Sequence, residues 1–174
     1  MALSLPPRRP PTDRIWSPWR HAYVTRPEEA KDCVFCVAQS IDEGRQLIVH
    51  EGALAYVILN KFPYNAGHLM VVPQRHAASL ALLTRDELNE MALLTQLSER
   101  VLMEAFTPQG INVGMNLGRP AGAGIVDHLH VHLVPRWNGD TNFMTVVGEV
   151  RVLPEELPRT AERLRPLFTA LSAG

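Results

Sequence analysis

The sequence predicts an α+β domain: an antiparallel β-meander sheet with one long helix and a C-terminal helix. Three observations predict it. Short runs rich in Ile, Val and Tyr alternate with tight turn signals, the pattern of strands joined as hairpins. Leu88, Met91, Leu94, Leu97 and Val101 recur at helical spacing behind a Thr84…Glu87 capping box. No internal repeat or second apolar core interrupts the 174 residues, a length that suits one domain.

Residues 1–14, MALSLPPRRPPTDR, hold four prolines and read as a flexible arm, leaving residues 15–174 for a single domain. They lack the apolar core and cleavage site of a signal peptide. IWSPWRHAYV (15–24) begins the ordered part, with Trp16 and Trp19 as core or interface anchors. RQLIVH (45–50) and ALAYVIL (53–59) read as strands, with Glu51-Gly52 as the hairpin signal between them. NKFPYNAG (60–67) is a turn and HLMVVP (68–73) a further strand. The long helix follows Thr84 and runs to about Phe106. INVGMN (111–116) is strand-like, LGRPAGAG (117–124) a glycine-rich loop, and DHLHVHLVPRW (127–137) another strand. EELPRTAERLRPLFTAL (155–171) reads as the last helix, with Pro158 in or near its first turn.

Lys plus Arg total 17 against 18 Asp plus Glu, so at a net charge of −1 no basic surface announces nucleic acid as a partner. No apolar run approaches the roughly 20 residues that cross a bilayer, so no membrane partner is expected. With only two cysteines and no export signal, the expected location is cytoplasmic.

Three of the seven histidines, His128, His130 and His132, sit two apart with Leu129, Val131 and Leu133 between them. On a strand this spacing gathers three imidazoles on one face and leaves the other apolar. The Cα atoms of His128 and His132 would be roughly 13 Å apart. One zinc ion, with bonds of about 2.0–2.1 Å to nitrogen, cannot comfortably take all three. A neutral imidazole is instead a good nucleophile near neutrality, and attack on phosphorus would give a phospho-histidine intermediate. The plainer alternative is a set of hydrogen-bonded structural histidines. Gly118, Gly122 and Gly124, just before the histidines, weigh against it, because they let backbone approach a ligand and aim N–H groups at anionic oxygens. His68 reads equally well as a support for this site or as a satisfied strand-end histidine, and His21 and His50 as surface or structural residues.

Cys33 and Cys36 form a C-x-x-C pair with three readings. It lacks the interior and the βαβ setting of a thioredoxin-like redox motif. Two buried, inert thiols are the second reading. The third is half of a zinc site, with His76 and His128 available as further ligands.

HLHVHLV fits the His-φ-His-φ-His-φ-φ signature, with φ apolar, and resembles the histidine triad superfamily of nucleotide hydrolases and transferases. YVILNKFPYNAGHLMVVPQRH (56–76) is similar to the family's Asn…Pro…Gly-His…Val-Pro segment, and the likeness spans roughly residues 30–140. It implies a HIT-like fold, with His130 as the nucleophile that receives the nucleotidyl group and His132 at the α-phosphate. It also implies that the backbone carbonyl of His128 holds the His130 tautomer, that Asn60 meets the ribose, and that Asn116 is a polar contact of the α-phosphate. Base and ribose would lie against the LAYVILN strand. Zinc-containing members imply structural zinc on Cys33, Cys36, His76 and His128, and magnesium is an optional companion of the substrate phosphates. Where many hydrolytic members carry a glutamine before the triad, this chain reads Ala121-Gly122-Ala123-Gly124. The block NLGRPAGAGIVDHLHVHLVPRWNGDTNF is most similar to the bacterial diadenosine tetraphosphate phosphorylase branch. That implies phosphorolysis of diadenosine tetraphosphate to ADP and ATP. Gly122, Ala123 and Gly124 would give a roomy loop with backbone donors for a second anion, and Trp137 would be a ligand or dimer contact. A homodimer is implied, because family members join their sheets across a two-fold axis. Rival readings are a hydrolase of adenosine phosphoramidates or nucleotidyl-lysine, and a non-catalytic zinc-stabilised nucleotide-binding regulator.

Overall fold

The computed structural model describes residues 33–140 and 155–172. The expected arm at 1–14, the expected anchors Trp16 and Trp19, and His21 lie outside the described residues. Two short helices, α1 (Val34–Ala38) and α2 (Asp42–Leu47), lead into β1 (Ile48–Glu51), β2 (Ala55–Leu59) and β3 (Leu69–Pro73). The long helix α3 (Arg85–Phe106) connects to β4 (Gly110–Gly114), then β5 (Val131–Arg136), and α4 (Leu157–Ser172) follows. The sheet is antiparallel throughout, in the order β1-β2-β3-β5-β4. It is therefore a meander only over its first three strands. α3 carries the chain past the position next to β3, so β4 forms the edge and β5 returns to fill the gap.

Strand alternation builds two different faces. Val57, Leu59, Leu69, Val71, Val131 and Leu133 point to one side, where they pack with Leu94, Val101 and Leu102 of α3 and Leu164 and Phe168 of α4. Tyr56, Ile58, Met70 and Val72 point to the other, where Phe35 and Ala38 of α1 cover them. Each such side chain, fully buried, contributes roughly 1.5–3 kcal/mol. The first face is the main core; the second is the floor on which the histidines stand.

Several boundaries differ from the sequence reading. Arg45, Gln46 and Leu47 complete α2, with Asp42 and Glu43 favourably placed in its first turn. Arg165 of α4 then donates to the carbonyls of Gln46 and Ile48, satisfying the acceptors where helix passes into strand. His128 and His130 precede the ladder of β5, because the Leu129 N–H is directed to the carbonyl of Ala77 and not to a neighbouring strand. Leu88 is 37 % exposed although Met91, Leu94, Leu97 and Val101 are buried. Each step of three residues falls about 60° short of a full turn, so three such steps put Leu88 on the opposite side from Leu97.

α3 opens with the expected capping box: Thr84 Oγ1 accepts from the Glu87 N–H at 3.2 Å, and Glu87 accepts from the Thr84 N–H at 2.7 Å. Arg75 donates to both oxygens of the same carboxylate, at 2.9 and 2.8 Å, tying the end of β3 to the start of α3. The guanidinium, followed by the Thr84 amide, holds the Glu87 carboxyl down at about 2. Thr107 closes the helix in the left-handed region, at φ 44°, with its N–H on the carbonyl of Met103.

Thr84→Ala is expected to lower stability by about 1 kcal/mol in urea unfolding. Because the folded pKa of Glu87 lies below its ordinary value, its stabilisation is present above pH 4.5 and is lost as pH falls toward 2. Glu87→Gln should therefore melt below wild type at neutral pH, and the gap should close in that acid window. A gap of equal size at both ends of the window would contradict this.

Candidate active site

Four imidazoles meet on the second face, and their partners fix where each proton sits. His128 is fully buried, and its Nε2 lies 2.9 Å from the carbonyl of Pro73. A carbonyl only accepts, so Nε2 carries the proton and Nδ1 presents a lone pair. His130 Nδ1 lies 2.9 Å from the carbonyl of His128, so its proton is on Nδ1 and its lone pair on Nε2. The Tyr64 N–H donates to His68 Nδ1 at 3.1 Å, which leaves the His68 proton on Nε2. His68 Nε2 in turn donates to His132 Nδ1 at 3.0 Å, which leaves the His132 proton on Nε2. The rings of His130 and His132 are 4.7 Å apart, edge to face. A nucleophilic lone pair thus sits beside an imidazole that acts as a hydrogen-bond donor.

Burial favours the neutral form of the three triad rings. It lowers the pKa of His130, against the opposing pull of the His128 carbonyl. Burial, with His130 alongside, pushes His132 down to about 4. Phe35 lines the same pocket, with its ring 4.9 Å from that of His130. Gly114, paired with His132 across β4 and β5, leaves open space where a side chain would stand. The face is accordingly unobstructed on that side of His132.

The other expected contacts lie around this row with varying proximity. Asn60 follows β2 half-buried, and its Oδ1 accepts from the Phe62 N–H at 2.9 Å. Asn116 follows β4, and its Nδ2 reaches toward the carbonyl of Gly122 at 3.5 Å. Gly118 and Gly122 take φ of 81° and 93°, which glycine adopts without strain. The loop differs from expectation in its donors. The Gly122 N–H is bound to the carbonyl of Arg119 at 2.9 Å and the Ala123 N–H to that of Gly118 at 3.3 Å. Tight turning of the loop consumes both amides, so neither is offered to an anion. Ala123 itself is buried. Trp137 lines a groove of about 390 Å³ with Phe106, Asp140 and Arg163. None of the three triad histidines lines that groove.

The four expected metal ligands come together although they span 96 positions of the chain, 33 through 128. The donor atoms of Cys33, Cys36, His76 and His128 all lie within 4.8 Å of one another. Cys33 Sγ is 3.2 Å and Cys36 Sγ 3.6 Å from His128 Nδ1, and Cys36 Sγ is 3.5 Å from His76 Nδ1. A tetrahedral ion with bonds of about 2.0–2.3 Å separates its ligands by roughly 3.4–3.8 Å, so these residues fit one. The fit extends to protonation, because the Pro73 carbonyl leaves the His128 Nδ1 lone pair facing both sulfurs.

Sequence reasoning left His68 undecided and did not single out Phe35 or Tyr64. His68 reaches His132 only because β3 and β5 pair with Met70 opposite His132, a long-range register that local sequence does not reveal. The run VFC could have flagged Phe35, since a residue between two ligands is drawn to whatever they hold.

A family model for the HIT domain matches residues 42–139, and the chain belongs to the histidine triad (HIT) family. It is 39 % identical over 165 residues to a protein of Mycobacterium tuberculosis named AP-4-A phosphorylase, covering 90 % of this chain and 85 % of that one. It is 31 % identical to a bis(5'-adenosyl)-triphosphatase of Dictyostelium discoideum over 66 % of this chain and 80 % of the relative. Its fold is similar to that of a Zn-bound histidine triad family protein from Mycobacterium smegmatis, with a TM-score of 0.65 at 27 % identity. That likeness covers 82 % of this chain and 96 % of the other.

His68→Phe removes the donor to the half-buried His132 Nδ1, a loss of about 1 kcal/mol in denaturant unfolding. Because the folded pKa of His132 lies near 4, below its unfolded value of 6.5, stability falls as pH drops from 6.5 to 4. Imidazole nitrogen NMR should show His132 still neutral at pH 6 and taking up its proton only as pH approaches 4. A protonated His132 at pH 6 would contradict the assignment.

Proposed function

We propose that this protein cleaves dinucleoside polyphosphates, diadenosine tetraphosphate among them, through a nucleotidyl-His130 intermediate. The observation that carries the reading is the His130 Nε2 lone pair, set by the His128 carbonyl and placed beside the N–H donor of His132. The named activities of the M. tuberculosis and D. discoideum relatives support the substrate class. Nε2 of His130 attacks the α-phosphorus, the bond to the bridging oxygen breaks, and ATP leaves. The His132 N–H donates to a non-bridging or departing oxygen as charge develops. A phosphate oxygen then attacks the same phosphorus, freeing His130 and giving ADP. Asn60 serves the ribose and Asn116 the α-phosphate. Gly122, Ala123 and Gly124 supply room and shape more than amide donors. Trp137, in its separate groove, acts as a ligand or dimer contact.

Cys33, Cys36, His76 and His128 hold zinc, with the structure of a zinc-bound relative in support. With four protein ligands the ion supplies structural cross-linking and no open position for substrate. Magnesium is an optional companion of the substrate phosphates. Residues 15–174 act as one domain, and two copies pair through β4, which the sheet leaves as an exposed edge. Among the described residues no helix is long and apolar enough to cross a membrane. A cytoplasmic location suits two cysteines used as metal ligands and not as a disulfide.

His130→Asn is expected to lower kcat by about three powers of ten or more, with a normal melting curve. Near-normal turnover by the purified variant would overturn the mechanism. Across a phosphate titration, chromatography should show ADP replacing AMP as the partner of ATP. AMP at every phosphate concentration would make the enzyme a hydrolase. Elemental analysis should find one zinc per chain, and Cys33→Ala should lose it together with part of the thermal stability.

A further inference from the structure

We propose that Phe35 is a positioning residue for the nucleophile, clamped by the Cys33–Cys36–His76–His128 centre so that metal occupancy sets the orientation of His130. The inference rests on the nucleotidyl-transfer reading of the site. Phe35 stands between the two cysteines, is 2 % exposed, and lays its ring 4.9 Å from that of His130 at a tilt of 53°. Its edge also meets the His128 ring at 5.4 Å. Its carbonyl accepts the Tyr56 hydroxyl at 2.9 Å, which ties α1 to the floor of the pocket.

Two contacts are needed to aim an imidazole. The His130 ring is fixed covalently at Cβ and by one hydrogen bond at Nδ1, and the tolerance of that bond still lets the ring rock about Cβ–Cγ. A packed aromatic face restricts the rocking, and Phe35 supplies that face. Nε2 is then held on the line along which it must meet phosphorus, where small displacements cost rate steeply.

Both contacts come from the metal centre. The carbonyl belongs to His128, whose own ring is a ligand, and Phe35 belongs to the turn that carries Cys33 and Cys36. α1 has five residues, too few to hold a helical conformation without outside anchors. Its anchors are the buried side chains of Phe35 and Ala38, the Tyr56 hydroxyl, and the two sulfurs gathered on His76 and His128. Loss of the ion releases the two sulfurs and lets Phe35 relax, while the Pro73 and Ala77 bonds keep the His128 carbonyl in place.

The test compares wild type and Phe35→Ala, each with its metal and after chelation. It reads metal content, AMP affinity, kcat, and the His130 tautomer by imidazole nitrogen NMR without substrate. Phe35→Ala is expected to keep its metal and to bind AMP within about twofold of wild type, while kcat falls about tenfold. The preference of His130 for the Nδ1–H form should weaken in parallel. Chelating wild type should reproduce that NMR change and that fall in kcat, and chelating the variant should add little. Should the alanine variant fail to fold, Phe35→Leu, which keeps apolar volume but loses the flat ring, carries the same comparison. Weakened AMP binding with kcat intact would make Phe35 a wall of the nucleotide pocket and overturn the inference. Losses that multiply independently, or an unchanged tautomer, would also overturn it. A wild type without nucleotidyl transfer would refute the functional reading, and the NMR comparison would still decide the role of Phe35.

Discussion

The bond from His130 Nδ1–H to the carbonyl of His128 is the contact on which the rest of the site depends. Without it the proton is free to move to Nε2, and that nitrogen loses the lone pair that the proposed reaction needs. The acceptor is a backbone atom two residues earlier, so its direction is set by the peptide plane at positions 128–129. That plane is pinned from both ends. The His128 ring donates to the Pro73 carbonyl, and the Leu129 N–H donates to the carbonyl of Ala77. The segment gives up regular ladder pairing before β5 in order to make these bonds.

The apolar half of the alternation makes this arrangement affordable in free energy. Leu129, Val131 and Leu133 lie in the main core, which fixes the register of the strand and hence the direction of all three imidazoles. Burial in turn disfavours the charged form of each ring, so neutrality follows from where the rings are placed. Neutral buried rings must still be hydrogen-bonded. Tyr64 N–H, His68 and the carbonyls of Pro73 and His128 meet that need, and each leaves one ring nitrogen directed at its task.

The parts legible in the sequence were those carried by local pattern. The capping box at Thr84 and Glu87 and the alternation from Leu129 to Leu133 act within a few residues, and the C-x-x-C spacing marks two of the four donors that gather. The parts that were not legible depend on distant partners. β5 takes its place between β3 and β4, which no periodicity within either strand could announce. Leu88 looked apolar and periodic, yet three-residue steps carry it round the helix to solvent. His68 could be assigned only once β3 and β5 were paired. The glycine loop misled in the opposite sense: its composition pointed to free amides, and its turn geometry used two of them internally.

The claim on which the account stands is that His130 carries the nucleotidyl group. Rapid quenching of the protein with diadenosine tetraphosphate, followed by peptide mass spectrometry, measures this directly. One adenylyl group should appear on the peptide that contains His130, in acid-labile linkage, and should disappear when phosphate is added before the quench. An adduct on another residue, or full turnover with none trapped at any time, would contradict the account.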